Sequence, residues 1–210
     1  MSKDILLVSA GTVHPSLAAR RVFKRTLTAL PEFKFTQIKH LNMLPTLDLD
    51  TYAGMVLYYH AEELRQDALQ AFRDYVVGGG GVLAVHSASA SFKGMDKYYE
   101  VLGGEFVSHG PVEEFELIPG SAMDDIFGRG ERFTIYDELY RHEYDPDNMI
   151  HYHVEVKTEA GEIEKEPFVW TRAFGQGRIC YCAFGHTVKA LQQPGAQAIL
   201  RRGLRWVSGS

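Results

Sequence analysis

Short apolar segments alternate with amphipathic helical segments over the first half of this 210-residue chain. Ile5–Ser9, Ala53–Tyr59 and Val82–Val85 are continuously apolar, which is typical of parallel strands that are covered on both faces. The segments Pro15–Leu30 and Glu62–Val77 carry apolar residues at helical spacing. This order predicts that the three apolar strands are parallel and adjacent in the centre of a sheet, with helices on both faces.

A further strand is predicted in the first half of the chain, at Phe33–Ile38. The β content rises after residue 105, where strands are predicted at Glu113–Ile118, Phe133–Tyr136, His151–Lys157, Phe168–Phe174 and Arg178–Phe184, and a closing helix at Pro194–Val207. Alternation followed by mostly β structure favours a single α/β domain over residues 1–210. We therefore predict a three-layer sandwich with a mostly parallel central sheet and added antiparallel strands.

Composition excludes several classes of protein. The chain is 45% hydrophobic and 23% charged, as soluble globular proteins are, and its net charge is −5. Residues 113–166 hold sixteen acidic against five basic residues, whereas residues 167–210 hold six basic and no acidic ones. These opposite patches could meet within the fold or across a homo-oligomer contact. Because no basic stripe with interleaved aromatics occurs, we expect no nucleic-acid partner.

No membrane association is expected from the sequence. No apolar run approaches the roughly 18 residues of a membrane span, and the first residues lack the long apolar region of a signal peptide. We therefore expect a cytoplasmic protein.

Histidines follow four of the predicted strands. His86 comes directly after Val82–Val85, and His14, His60 and His186 lie in the loops after three other strands. The carboxyl ends of parallel strands meet at the ligand-binding edge of an open α/β sheet. We expect His14, His86 and His186 to surround one cavity there. Such imidazoles can ligate a metal, or one can act as a base while another polarises a carbonyl.

Several segments, taken together in order, carry a family resemblance. They are Gly78–His86, Leu102–Phe106 with His109, Tyr136–Tyr140, Pro167–Trp170, and Gly175–Tyr181 leading to Gly185-His186. From His14 to Trp206 the chain resembles the ThuA-like, or trehalose-utilisation, family. The resemblance implies a flavodoxin-like fold of the class I glutamine amidotransferase type. It also implies a place in sugar metabolism, because relatives accompany pathways that break down trehalose and other disaccharides.

The resemblance also implies a set of site residues. His14, His86, His109 and His186 match histidines of the family, and Asp137, Glu138 and Tyr140 match its acidic motif. Thr187 stands where members often have an aspartate, which puts a role for that carboxylate in doubt.

Roles for the candidate residues follow from chemistry and position. The catalytic candidates are His86, His14, His186 and Glu138, and the substrate-binding candidates are His109, Tyr140, Ser87 and His60. In an extended stretch Glu138 and Tyr140 share a face, so the carboxylate could orient an imidazole. Ser87 lacks the glycines of a nucleophile elbow, so its hydroxyl is interpreted as a binding group.

Two cofactor alternatives stay open. His14, His86 and His186, with a carboxylate, would suit zinc or a similar divalent ion; without metal, one histidine would be a general base and another would polarise the substrate. Neither nucleotide-binding glycine motif is present. His151 and His153 share one face of a predicted strand, which we expect to be solvated.

Amidotransferase activity is not expected. That chemistry needs a thiolate near His86, but the two cysteines, Cys180 and Cys182, lie in one predicted strand and are expected to be packing residues. The sequence favours an enzyme acting on a small-molecule sugar, such as a keto-sugar or a disaccharide derivative from trehalose. The alternative is a non-catalytic sugar-binding or regulatory domain.

Overall fold

The computed structural model describes residues 2–11, 15–120, 122, 126–128 and 130–209. The strands are β1 (Lys3–Val8), β2 (Phe33–Ile38), β3 (Gly54–Leu57), β4 (Gly81–Val85), β5 (Gly104–Pro119), β6 (Phe133–Tyr144), β7 (Met149–Lys157), β8 (Ile163–Phe174) and β9 (Gly177–Cys182). The helices are α1 (Leu17–Thr28), α2 (Gln66–Val77), α3 (Asp96–Leu102), α4 (Val188–Gln192) and α5 (Pro194–Val207). Within the described residues, the strands form one nine-stranded sheet in the order β2-β1-β3-β4-β9-β8-β7-β5-β6.

The centre of the sheet is parallel. β1, β3 and β4 are adjacent and parallel, with Leu6 opposite Met55 and Val56 opposite Leu83, so the central prediction is confirmed. β2 joins the outer side of β1, and β9 joins β4, both also in parallel. Every residue of β3 and β4 is buried, as strands covered on both faces must be.

Helices cover the parallel strands in two groups. The first group is α1, α4 and α5, which contact one another, and the second is α2 and α3, which also contact each other. The first group contacts β9 through α5, and the second contacts β9 through both of its helices. The apolar faces of these helices are buried, including Phe23 of α1 and Phe72 of α2. The three-layer α/β arrangement is therefore as predicted, although α2 begins at Gln66 and not at Glu62.

The antiparallel part differs from the prediction chiefly in the lengths of three strands, and β8 begins at Ile163 and not at Phe168. β5 begins at Gly104, well before Glu113, and β6 continues to Tyr144, well past Tyr136. β5 and β6 pair along most of their lengths, and the register shifts between Phe106 and Ser108 and between His109 and Val112. This pair, called here the β5–β6 ribbon, carries residues 109, 137, 138 and 140.

The prediction of a solvated face on β7 is wrong. His151 and His153 are both buried, and His151 Nε2 lies 2.8 Å from Thr171 Oγ1. Burial lowers the pKa of His151 to about 4, so the ring is neutral near pH 7. Cys180 and Cys182 are buried free thiols, as expected of packing residues. None of the helices in the described part of the chain is long and apolar enough to cross a membrane.

Candidate active site

His86 lies at the end of β4, in the middle of the parallel sheet. It is completely buried, and it begins a short 3-10 turn, His86–Ala88. Its ring nitrogen Nδ1 lies 2.8 Å from the carbonyl oxygen of Ala183. A carbonyl can only accept, so Nδ1 carries the hydrogen and donates it. In the neutral ring the lone pair is then on Nε2, at the opposite end of the imidazole.

Glu138 joins three histidines. Its Oε2 lies 3.2 Å from His186 Nδ1 and 3.5 Å from His86 Nε2, and its Oε1 lies 3.7 Å from His109 Nδ1. The side chains of His86 and Glu138 are 0% and 8% exposed, whereas those of His186 and His109 are 24% and 45% exposed. We call these four residues the histidine–carboxylate cluster. Solvent reaches it from the side of His186 and His109.

Part of this cluster has the geometry of a cation site. His86, Glu138 and His186 each offer one ligand atom, and these three atoms lie within 4.8 Å of one another. Atoms at this spacing could bind one metal ion. The anchored Nδ1–H of His86 is the outer contact that metal-ligating histidines usually have. Proton sharing and metal binding are both compatible with this geometry.

The turn after β9 positions His186 through Asp137. The buried Asp137 carboxylate accepts hydrogen bonds from the backbone N–H groups of Gly185, His186 and Thr187, at 2.6, 3.3 and 3.1 Å. Burial raises the pKa of Asp137 to about 7, against the opposing effect of these donors. The hydroxyl of Thr187 donates to the carbonyl of Tyr136 at 2.6 Å. Asp137 thus ties the His186 turn to β6, the strand that carries Glu138.

Tyr140 forms the wall of the cluster on the β5–β6 ribbon. Its ring centroid lies 4.2 Å from that of His86, 4.4 Å from that of Phe106 and 6.0 Å from that of His109. Burial, with the charges of Glu138 and Asp137, raises the pKa of the phenol, which therefore stays protonated. As predicted, Glu138 and Tyr140 share a face of an extended strand.

Other predicted residues lie in different surroundings. His14 is outside the described residues. His60 is exposed after β3, and the buried Ser87 donates its hydroxyl to the carbonyl of Tyr59 at 3.1 Å. Sequence reasoning missed the anchoring role of Asp137. The alternation of residues along the strand predicts that Glu138 and Tyr140 share a face. It does not predict that the Asp137 carboxylate accepts hydrogen bonds from the turn after β9.

Comparisons with known proteins agree with this architecture. The family model described as ThuA, trehalose utilisation, matches residues 4–207. A ThuA-like protein from Parabacteroides merdae ATCC 43184 gives a TM-score of 0.85 at 22% identity, covering 99% of this chain and 90% of that chain. A ThuA-like protein from Bacteroides uniformis ATCC 8492 gives 0.79 at 17% identity, covering 98% and 91%.

Part of a larger enzyme also has this fold. The cold-adapted β-galactosidase from Rahnella sp. R3 gives a TM-score of 0.67 at 12% identity, with 98% of this chain matching 31% of that chain. At such identities the solved structures show a shared fold alone. No curated protein matches the chain significantly.

Proposed function

The chain belongs to the ThuA, or trehalose-utilisation, family, and from this premise we propose that it is an enzyme acting on a keto-sugar or a disaccharide derivative such as one from trehalose. Family membership points to a role in sugar metabolism. The observation that carries the proposal of catalysis is Glu138 lying within 3.2 to 3.7 Å of nitrogen atoms of three imidazoles. Titratable groups brought together at a strand-end edge are characteristic of active sites.

His186 is proposed as the general base. It is partly exposed, so substrate can approach it, and Glu138 lies 3.2 Å from its Nδ1. The carboxylate fixes the ring and stabilises the imidazolium that forms when His186 takes a proton from a sugar hydroxyl or from a carbon beside a keto group. His86 supplies the second imidazole, the one that would polarise the substrate. The exposed His109 and Tyr140, which forms the wall of the cluster, would contact the sugar.

A divalent ion such as zinc is the second form of this proposal. His86 Nε2, His186 and Glu138 would be its ligands, with further positions open for water or a substrate oxygen. The bound ion would polarise a carbonyl or activate water. The hydrogen bond from His86 Nδ1–H to Ala183 supports this form, because it directs Nε2 toward the other two ligands.

The test is turnover of defined sugars by the wild-type protein and a His186→Ala variant. Trehalose, its keto derivatives and keto-monosaccharides are incubated with each protein, with and without added zinc, and the products are followed by NMR. We expect wild type to convert at least one keto-sugar and folded His186→Ala to lose that turnover. His40→Ala, which changes a histidine outside the cluster, is the matched control. Binding without turnover by wild type would instead favour the non-catalytic sugar-binding domain.

A further inference from the structure

His86 has a backbone conformation that few residues with a side chain adopt. Its φ is +49°, in the left-handed region that normally favours glycine. Such a conformation persists only where surrounding contacts hold it, because the β-carbon crowds the backbone. The residue at the centre of the histidine–carboxylate cluster therefore needs support from outside that cluster.

The support comes from two hydroxyl groups beneath the sheet edge. The carbonyl oxygen of His86 accepts a hydrogen bond from Tyr181 OH at 2.9 Å and lies 3.3 Å from Ser89 Oγ. It also accepts one from the backbone N–H of Ser89 at 3.2 Å. The two hydroxyl oxygens lie 2.7 Å apart. The ring of Tyr181 is held in turn by stacking on Trp170, with centroids 4.2 Å apart.

His142 completes this buried group. Its Nε2 lies 3.1 Å from both Ser89 Oγ and Tyr181 OH. Burial lowers the pKa of His142 against the opposing effect of Glu166, so the ring is neutral. Its Nδ1 lies 3.8 Å from a Glu166 oxygen, beyond hydrogen-bond distance. The hydroxyl of Tyr181 donates to the His86 carbonyl, so Ser89 donates to the Tyr181 oxygen 2.7 Å away, and Nε2–H of His142 donates to Ser89 Oγ.

The arrangement of Ser89, His142 and Glu166 resembles a nucleophilic triad, but its surroundings exclude that role. Ser89 is completely buried, and its hydroxyl is already within hydrogen-bond distance of Tyr181 and His142. A nucleophile must reach substrate, which this hydroxyl cannot do.

We propose that Ser89, His142 and Tyr181 are positioning residues that hold His86 in its left-handed conformation and so direct Nε2 at Glu138. This inference rests on the function proposed above, because it gives these residues their purpose in the same site. His142 lies on the same face of β6 as Glu138, so one strand carries both the carboxylate of the cluster and its support. The group acts through His86 and does not contact the substrate.

The experiment compares Tyr181→Phe with Tyr98→Phe. Each change removes one buried hydroxyl that donates to a carbonyl in the same loop, that of His86 for Tyr181 and that of Ala88 for Tyr98. The readout is the imidazole ¹H–¹⁵N spectrum, which reports the tautomer of His86 and the exchange of its Nδ1 hydrogen. We expect wild type and Tyr98→Phe to show one protected Nδ1–H tautomer, and Tyr181→Phe to lose it.

Kinetics provide the second readout. On a keto-sugar turned over by wild type, we expect Tyr181→Phe to lower kcat by about tenfold to a hundredfold relative to Tyr98→Phe, as misplaced catalytic groups do. If Tyr181→Phe does not fold, Ser89→Ala replaces it. Its control is then Ser91→Ala, a buried serine whose hydroxyl donates to the Ser87 carbonyl at 2.9 Å.

The two proposals fail in different ways. If Tyr181→Phe matches Tyr98→Phe in both the His86 spectrum and kcat, the positioning role is overturned while the proposed function stands. If the wild type converts no sugar but only Tyr181→Phe loses the His86 signature, the proposed function fails and the positioning role stands.

Discussion

At the scale of single residues, Glu138 is the group on which the cluster depends. We expect Glu138→Gln to lower turnover of a keto-sugar by about a hundredfold or more, because the amide keeps the shape but cannot stabilise an imidazolium. Steady-state kinetics, with circular dichroism to confirm folding, measure the effect.

The control for this change is Glu114→Gln. Glu114 lies on the same ribbon but is exposed and pairs with Lys189 at 3.0 Å. Exposed ion pairs contribute little to the free energy of unfolding, so the turnover and the stability of Glu114→Gln should match those of wild type. Equal activity of Glu138→Gln and Glu114→Gln would exclude a catalytic role for Glu138.

The sequence located some of these residues and misjudged the surroundings of others. His86 and His186 could be predicted because each follows an apolar strand, and Glu138 because it matches the acidic motif of the family that the sequence resembles. The strand-end position of His86 indicated the ligand-binding edge, but not that the residue is completely buried. The ring of Tyr140, from a ribbon far along the chain, packs against it with centroids 4.2 Å apart, and local sequence patterns do not encode such contacts.

At the scale of elements, the turn between β9 and α4 requires glycine at position 185. Gly185 has φ +142°, and a β-carbon there would lie 3.0 Å from the His86 β-carbon. We expect Gly185→Ala to destabilise the fold by about 2 to 4 kcal/mol, measured by urea unfolding, and to displace His186.

Gly94→Ala separates strain from crowding. Gly94 also has a positive φ, +82°, but nothing lies within 4 Å of a β-carbon placed there. Backbone strain alone should cost about 1 kcal/mol at this position. If both variants lose the same stability, the close approach of Gly185 to His86 contributes nothing.

The raised pKa of Asp137, which anchors the same turn, predicts how the free energy of unfolding depends on pH. A buried carboxyl whose pKa is raised from 3.8 to about 7 keeps its proton in the folded state after the unfolded chain has lost it. Its contribution to stability is therefore present below about pH 4 and is lost as pH rises toward 7. Asp137→Asn has no such titration. We expect the free energy of unfolding of wild type, minus that of the variant, to fall between pH 4 and 7.

The subtraction is needed because other groups titrate in the opposite sense. Histidines with lowered pKa values, such as His151, stabilise the fold more as pH rises from about 4 to 6.5. They are the same in both proteins and cancel. A difference that stays constant with pH would show that folding does not raise the pKa of Asp137.

The β5–β6 ribbon shows why element bounds were harder to predict than element types. The start of β5, residues 104–112, is largely exposed, so its sequence has no clear apolar face to mark a strand. β6 continues past Tyr136 into Asp137 and Glu138. Two adjacent acidic residues are typical of a surface loop, and the sequence does not show that their partners lie in the β9–α4 turn.

At the scale of the whole molecule, the central sheet was predictable and the neighbours of His86 were not. Apolar runs identified β1, β3 and β4 because burial on both faces leaves a local pattern. β9 lies beside β4 although more than 90 residues separate them, so Tyr181, Ala183 and Gly185 reach His86 only through the sheet order. No local pattern encodes that order, which is why the buried hydroxyl group was missed.

Metal binding should be visible in the stability of the whole fold. A ligand that binds only the folded state at about 100 times its Kd stabilises it by about 2.7 kcal/mol, or roughly 5 to 10 °C in Tm for a chain of this size. We expect zinc to raise the wild-type Tm by that amount at pH 7.5, and less at pH 5.5, where protons compete for the imidazoles.

The variants assign this shift to the cluster. Glu138→Gln and His186→Ala each remove one ligand, so the zinc-dependent increase should largely disappear in both. His40→Ala removes a histidine whose Nδ1 accepts the Asn42 N–H at 3.0 Å, away from the cluster, and should keep the increase even if its own Tm is lower. A shift that survives in all three variants would place the ion elsewhere. No shift in wild type would count against zinc binding by the cluster and would favour the metal-free, acid–base form of the proposal.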